Sequence, residues 1–262
     1  MHRNPRKESP MSRQRQLLLD PYARGASAKA LPPHRISPFL FISDSGAAAA
    51  LPHLIDLGIT HIVNLSGCSD FWDTPEKIDK EWARLAKDWE EDPRICPTPP
   101  TSDLTQPPYT DRHADAVFAR LYQAHSTARP IFNPPAYHSI SIPDSPGVSI
   151  STHFPDCINF INNARESLGD PEDTSTGARI LIHCVQGISR SASIAIAYVM
   201  SDQQIGYEPA FRIVKEARPA VWPNVGFRSQ LKEFEKTLKL QGDEGGTTRR
   251  LWKKFVKPAG SS

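Results

Sequence analysis

Apolar positions along this chain alternate between two rhythms. Short β-branched or aromatic runs are followed by segments whose apolar residues recur three and four apart. Pro38-Phe39-Leu40-Phe41-Ile42 predicts a first strand. Asp44 and Ser45 then offer helix caps ahead of a helix over 47–57, which Pro52 should kink or restart and Gly58 should close. Ile59 to Leu65 is short and β-branched, the composition of a buried strand. Tyr137-His138-Ser139-Ile140-Ser141-Ile142 alternates as a strand, and Phe154, Ile158, Ile161 and Leu168 mark a helix. Arg179 to His183 predicts another strand. Ala192 to Met200, Tyr207 to Ala217, and Phe227, Leu231, Phe234 and Leu238 predict the closing helices. Strands alternating with helices imply an α/β fold with a central, largely parallel sheet flanked by helices.

Residues 67–136 break the rhythm. Ile78, Trp82, Leu85, Ala86 and Trp89 share one helical face, as do Ala114, Val117, Phe118, Leu121 and Tyr122. The proline-rich stretch from Pro93 to Pro108 separates them. This segment reads as a helical insertion of two amphipathic helices, its tryptophans packing residues and not a ligand box. Gly169 to Gly177 reads as a polar turn.

Length and charge narrow the function. The 262 residues suit one domain with decoration, assigned to 36–240, and a net charge of +2 gives no global pull toward nucleic acid or membrane. Residues 1–35 and 241–262 are basic and poor in aliphatic residues, and read as a disordered arm and a flexible tail. A nuclear address or an anion-docking arm is the competing reading. Cys68, Cys96, Cys157 and Cys184 form no Cys-x-x-Cys pair and no zinc spacing, which suits a reducing compartment, cytoplasm or nucleus. No segment is apolar enough to span a bilayer or to act as a secretory signal.

The chemistry concentrates in His183-Cys184-Val185-Gln186-Gly187-Ile188-Ser189-Arg190-Ser191. A predicted strand enters this loop and a small-residue helix leaves it. A cysteine before a helix N-terminus and near an arginine favours the thiolate, the nucleophilic form. The amides from Val185 through Gln186, Gly187, Ile188 and Ser189 to Arg190 can curl into an anion nest, with Gly187 at the bend. Arg190 adds a planar fork for two phosphate oxygens. Phosphoester cleavage also needs an acid for the leaving oxygen, carried on a mobile loop beside the pocket. Asp144, after a strand end and between Pro143 and Gly147, is the favoured candidate; Asp156 is the rival, but fits a helix start better. The chemistry calls for no metal and no cofactor.

The Cys184 phrase, through Ala192 and Ser193, resembles the active-site signature of the dual-specificity phosphatases of the cysteine-dependent protein tyrosine phosphatase superfamily. Ile140-Ser141-Ile142-Pro143-Asp144 resembles that family's acid-bearing segment, and 38–42 and 58–64 its opening strands. Arg218-Pro219 through Pro223-Asn224-Val225-Gly226-Phe227 and Gln230-Leu231 resembles its closing motif. The resemblance covers 36–66 and 137–240 and implies the phosphatase-like fold. By position it implies Cys184 as nucleophile, Arg190 as phosphate clamp and Asp144 as acid and then base. It also implies Ser191 as hydrogen-bond donor to the leaving thiolate, with His183 and Asn224 in support. The 67–136 insertion and the 169–177 turn are longer than the family's usual connections.

The expected function is hydrolysis of phosphotyrosine and phosphoserine/phosphothreonine in proteins through a cysteinyl-phosphate, a kinase being one possible partner substrate. A non-protein substrate (phosphoinositide, RNA 5′ end, glycan) and a non-catalytic phosphate-binding scaffold are the alternatives. The neutral Val185, Gln186 and Ile188 favour the phosphoprotein.

Overall fold

The computed structural model describes residues 31–91, 117–118, 120–122, 124, 130–168 and 177–242. Five strands are present among them: β1 (His34–Arg35), β2 (Leu40–Ser43), β3 (His61–Asn64), β4 (Ala136–Ser139) and β5 (Ile180–His183). They form one sheet of order β1-β2-β5-β3-β4, parallel except for the β1–β2 edge pair. The helices are α1 (Ser45–Ala49), α2 (Leu51–Leu57), α3 (Pro75–Glu91), α4 (Phe154–Ser167), α5 (Arg190–Gln203), α6 (Tyr207–Ala217) and α7 (Val225–Gly242), with a 3₁₀ turn at Ser151–His153.

Strand periodicity sorts the core into two layers. Leu40, Ile42, Val63, Ile180 and Ile182 pack into one apolar cluster with residues of α4–α7. Their neighbours Phe41, Ile62 and Leu181 point the other way, into a cluster with α1–α3. The second layer explains the insertion. Ile78, Trp82 and Leu85 of α3, with Phe118 and Tyr122 from the helical residues at 117–118 and 120–122, are buried there. The insertion thus extends the layer that α1 and α2 form on this sheet face. Trp72 and Trp82 are packing residues as expected, Trp72 also donating its indole N–H to the Ala48 carbonyl at 3.1 Å. The 93–108 stretch, residues 169–176 of the turn, and residues 1–30 and 243–262 of the basic termini lie outside the described residues, as does Cys96. The end of the arm expected to be disordered is instead paired, His34–Arg35 forming β1 against β2.

Several boundaries shift from the sequence reading. The helix expected over 47–57 is two helices, broken at Ala50, with Pro52 in the first turn of α2, where no intrahelical N–H is needed. Asp44 caps α1 by accepting from the Ala47 N–H, and Gly58 closes α2 at φ +61°. β4 ends at Ser139, earlier than the alternation to Ile142 implies. After the Ile140 N–H bonds the Asn64 carbonyl, the chain turns toward Pro143. β1 was not foreseen, being only two residues long.

Candidate active site

The sheet delivers three loops to one end. β5 runs into the Cys184 loop, β4 into the Asp144 loop, and β3 into a loop at 65–72. The Cys184 sulfur is 1% exposed at the base of its loop. It accepts the Gly187 N–H at 3.2 Å and lies 3.3 Å from the Ser191 hydroxyl.

The rest of the loop is shaped by its carbonyls. Val185 O accepts from the Ser45 N–H and hydroxyl at 3.2 and 3.1 Å. Gln186 O and Gly187 O accept from Arg218 Nη2 and Nε at 3.1 and 3.0 Å. Ile188 O accepts the Trp222 N–H at 2.8 Å, and Ser189 O accepts from the Ser193 N–H and hydroxyl at 2.9 and 2.8 Å. In a planar trans peptide the carbonyl of one residue and the N–H of the next point opposite ways. With carbonyls 185–189 anchored to the scaffold, the amides of 186–190 face the opposite, inner side, the geometry of an anion nest. Gly187 makes the bend possible. It sits at φ +67°, and a Cβ there would lie 2.6 Å from the Ser43 carbonyl oxygen.

Arg190 opens α5, and its side chain is 11% exposed. Its Nη1 donates to the carbonyls of Leu65 and Ile142, both at 3.0 Å, so the guanidinium ties the other two loops together. Its Nε is buried without a hydrogen-bond partner, 3.6 Å from Asp144 Oδ2. The 65–72 loop is held in turn. Asn64 Oδ1 accepts from Ser66, and Asn64 Nδ2 donates to Cys68 O and Asp70 Oδ1, the latter also accepting from the Ser139 hydroxyl at 2.6 Å.

Asp144 stands beside this cradle. Its Oδ1 accepts the Ser189 hydroxyl at 2.7 Å and the Asn224 side-chain amide at 2.9 Å. Asn224 also donates its backbone N–H to Ser189 Oγ, and its Oδ1 accepts the Phe227 N–H. Its side chain therefore holds Asp144 rather than the phosphate loop. The acid loop is tied on both flanks: Gln230 donates to Val148 O and accepts the Ser151 N–H, and Gly226 packs against Pro146 so closely that a Cβ would sit 1.9 Å from its carbonyl oxygen. The sequence reading placed the acid on a mobile loop; the loop found here is clamped. Asp156 lies exposed in the first turn of α4.

His183 is completely buried, and burial lowers its pKa to about 4, so the ring is neutral behind the sulfur. Burial inside α4 pushes the Cys157 thiol up to about 12. The sequence reading assigned no role to Arg218. Its partners are residues 34, 44, 186 and 187, two of them far upstream, so its Arg-Pro phrase was visible but its contacts were not. Asp44 likewise was read only as a cap, yet it also pairs with Arg218 at 3.1 Å.

Comparison with known proteins adds a second line. A family model described as the dual specificity phosphatase catalytic domain matches residues 121–237. Mouse dual specificity protein phosphatase 15 is 39% identical over 114 residues, 44% of this chain and 45% of that one. Human dual specificity protein phosphatase 22 is 37% identical over 116 residues, 44% of this chain and 58% of that one. The chain thus spans about half the length of these relatives. The crystal structure of DUSP15 superposes with a TM-score of 0.51 at 23% identity, covering 88% of this chain and 99% of that one, a likeness of fold. Residues 121–237, which contain the loop phrase from His183 to Ser193, are thus similar to the dual specificity phosphatase catalytic domain, and the parallel sheet that delivers the loop is similar in fold to DUSP15.

Proposed function

We propose that this chain hydrolyses phosphotyrosine and phosphoserine/phosphothreonine in proteins by a two-step, cysteine-dependent mechanism. The observation that carries it is the row of anchored carbonyls at 185–189, which turns successive amides toward the side that holds the Cys184 sulfur. The Cys184 thiolate attacks phosphorus, forming an S–P bond as the P–O bond to the leaving group breaks. The inward amides and Arg190 hold the three non-bridging oxygens, and the buried, unpartnered Arg190 Nε gains an acceptor. Asp144 gives its proton to the leaving oxygen. With Oδ1 occupied by two donors, the proton is carried on Oδ2. In the second step water attacks phosphorus, Asp144 takes its proton, and the S–P bond breaks to restore the thiolate. The Ser191 hydroxyl, 3.3 Å away, stabilises that leaving sulfur.

The neutral side chains of Val185, Gln186 and Ile188 favour a phosphoprotein over a multiply charged head group, and a protein kinase is one substrate of this kind. A thiolate nucleophile works in a reducing compartment, cytoplasm or nucleus. Replacing Cys184 with Ser tests the reading: turnover of an aryl phosphate should vanish while phosphate binding survives. Residual turnover at a substantial fraction of the wild-type rate would remove Cys184 as nucleophile.

A further inference from the structure

Trp222 and Val225 stand out beside the site because they are large, apolar and open, at 54% and 59% exposure. Trp222 is not loosely placed. Its N–H is bonded to Ile188 of the phosphate loop, and the Phe211 ring meets its ring edge-on at 5.9 Å. The Arg228 guanidinium lies 5.0 Å from the ring centroid and the Lys215 ammonium 5.4 Å from it. The ring forms one end of a groove of about 330 Å³ between α6 and α7 that continues past Phe211 and Arg228 to Tyr207 and Lys232. Lys232 lies 5.5 Å from the Tyr207 ring centroid. Arg228 Nε is buried without a hydrogen-bond partner. The carboxylate of Glu208, 3.8 Å from Lys232, is the lone negative charge among the groove-lining residues.

We propose that this groove binds an acidic stretch of the substrate polypeptide flanking its phosphorylated residue. Its place supports this: Trp222, which lines the groove, holds the Ile188 carbonyl on the outer side of the Cys184 loop, so the groove adjoins that loop. Its chemistry selects the occupant. Arg228 and Lys232 supply positive charge for carboxylates, and the aromatic rings support their aliphatic stems. A purely apolar helix would offer Arg228 no carboxylate and leave Glu208 as the one acidic group lining the groove. Such a role presupposes the phosphatase activity proposed above.

The experiment uses the full chain and three substrates: para-nitrophenyl phosphate, a phosphotyrosine peptide with Asp/Glu flanks, and the same peptide with Gln flanks. The wild type should prefer the acidic peptide by about ten-fold in kcat/KM, a preference that shrinks as salt is raised. The double variant Arg228→Glu/Lys232→Glu should lose the preference while hydrolysing para-nitrophenyl phosphate at about the wild-type rate. Trp222→Ala serves as the second variant and should weaken both peptides more than the aryl phosphate. Equal use of both peptides by the wild type, or an acidic preference that survives in the double variant, overturns the proposal. Absence of aryl phosphate turnover in the wild type would strike the phosphatase reading instead. The groove is then judged by anisotropy of a labelled, unphosphorylated acidic peptide, which the double variant should bind at least about ten-fold more weakly. Equal binding, or self-association of the chain that Trp222→Ala abolishes, counts against an acidic-peptide site.

Discussion

At the scale of single residues, the site is a set of charges and donors whose positions are over-determined. Arg190 uses Nη1 on the Leu65 and Ile142 carbonyls, while its Nε pairs with Asp144 across 3.6 Å without a hydrogen bond. Asp144 is held by Ser189 and Asn224 on one oxygen, leaving the other for the proton transfer proposed above. Replacing Asp144 with Asn removes the transferable proton and little else. Turnover of alkyl phosphates should fall by roughly 10²-fold or more, and that of aryl phosphates with acidic phenols much less. A plot of rate against leaving-group pKa measures this directly. An unchanged slope would return Asp156 to consideration. The Cys184 phrase itself was legible in the sequence, because nucleophile, glycine and arginine share nine consecutive residues. Arg218 was not, because its role exists only when residues 34, 44, 186 and 187 converge on it.

At the scale of elements, the active loop is a strand-to-helix turn held from outside. Ser45 from α1, Arg218 and Trp222 from the α6–α7 connection, and Ser193 from α5 each take a loop carbonyl. Gly187 is where this arrangement tolerates no side chain. In Gly187→Ala, positive φ alone costs roughly 1–3 kcal/mol, and the added methyl collides with Ser43 backbone. Relief requires the loop to move. Activity should therefore fall by about 10²-fold or more at temperatures where the variant is still folded. Circular dichroism alongside aryl phosphate kinetics separates the two effects, and a folded, fully active variant would show that the amide cradle is not needed. Element positions followed from periodicity and end signals: the Asp44 cap, the Pro52 restart and the Gly58 stop all lie where expected. Strand ends did not, since a strand stops where its neighbour stops offering partners, as β4 does after Ser139.

At the scale of the whole molecule, the sheet joins segments far apart in the chain. The family match begins at 121, yet β5 is flanked by β2 and β3 from before that point. The fold thus needs residues upstream of the matched segment, and α3 extends the apolar layer that α1 and α2 lay on those strands. Global stability should carry a pH signature from the core. His183 binds a proton with a pKa of about 4 when folded and 6.5 ordinarily, because burial disfavours the charged ring. Between those values the unfolded chain holds the extra proton, so stability is full above about pH 6.5 and is lost as pH falls toward 4, by up to about 3 kcal/mol. Urea unfolding across this window should show that slope, and His183→Leu should flatten it. A parallel slope in both proteins would assign it to other groups.

Taken alone, the sequence determined the α/β rhythm, the reactive phrase and the acid candidate, because periodicity, caps and a nine-residue signature are local properties of the chain. Only the tertiary structure decided which distant groups clamp the loop, that Asp144 sits under a two-donor clip, and that the insertion joins the second core layer. Those depend on strand order and helix packing, where contacts join residues from 31 positions apart, as Arg218 and Gly187, to 174, as Arg218 and Asp44, and no local pattern records the pairing.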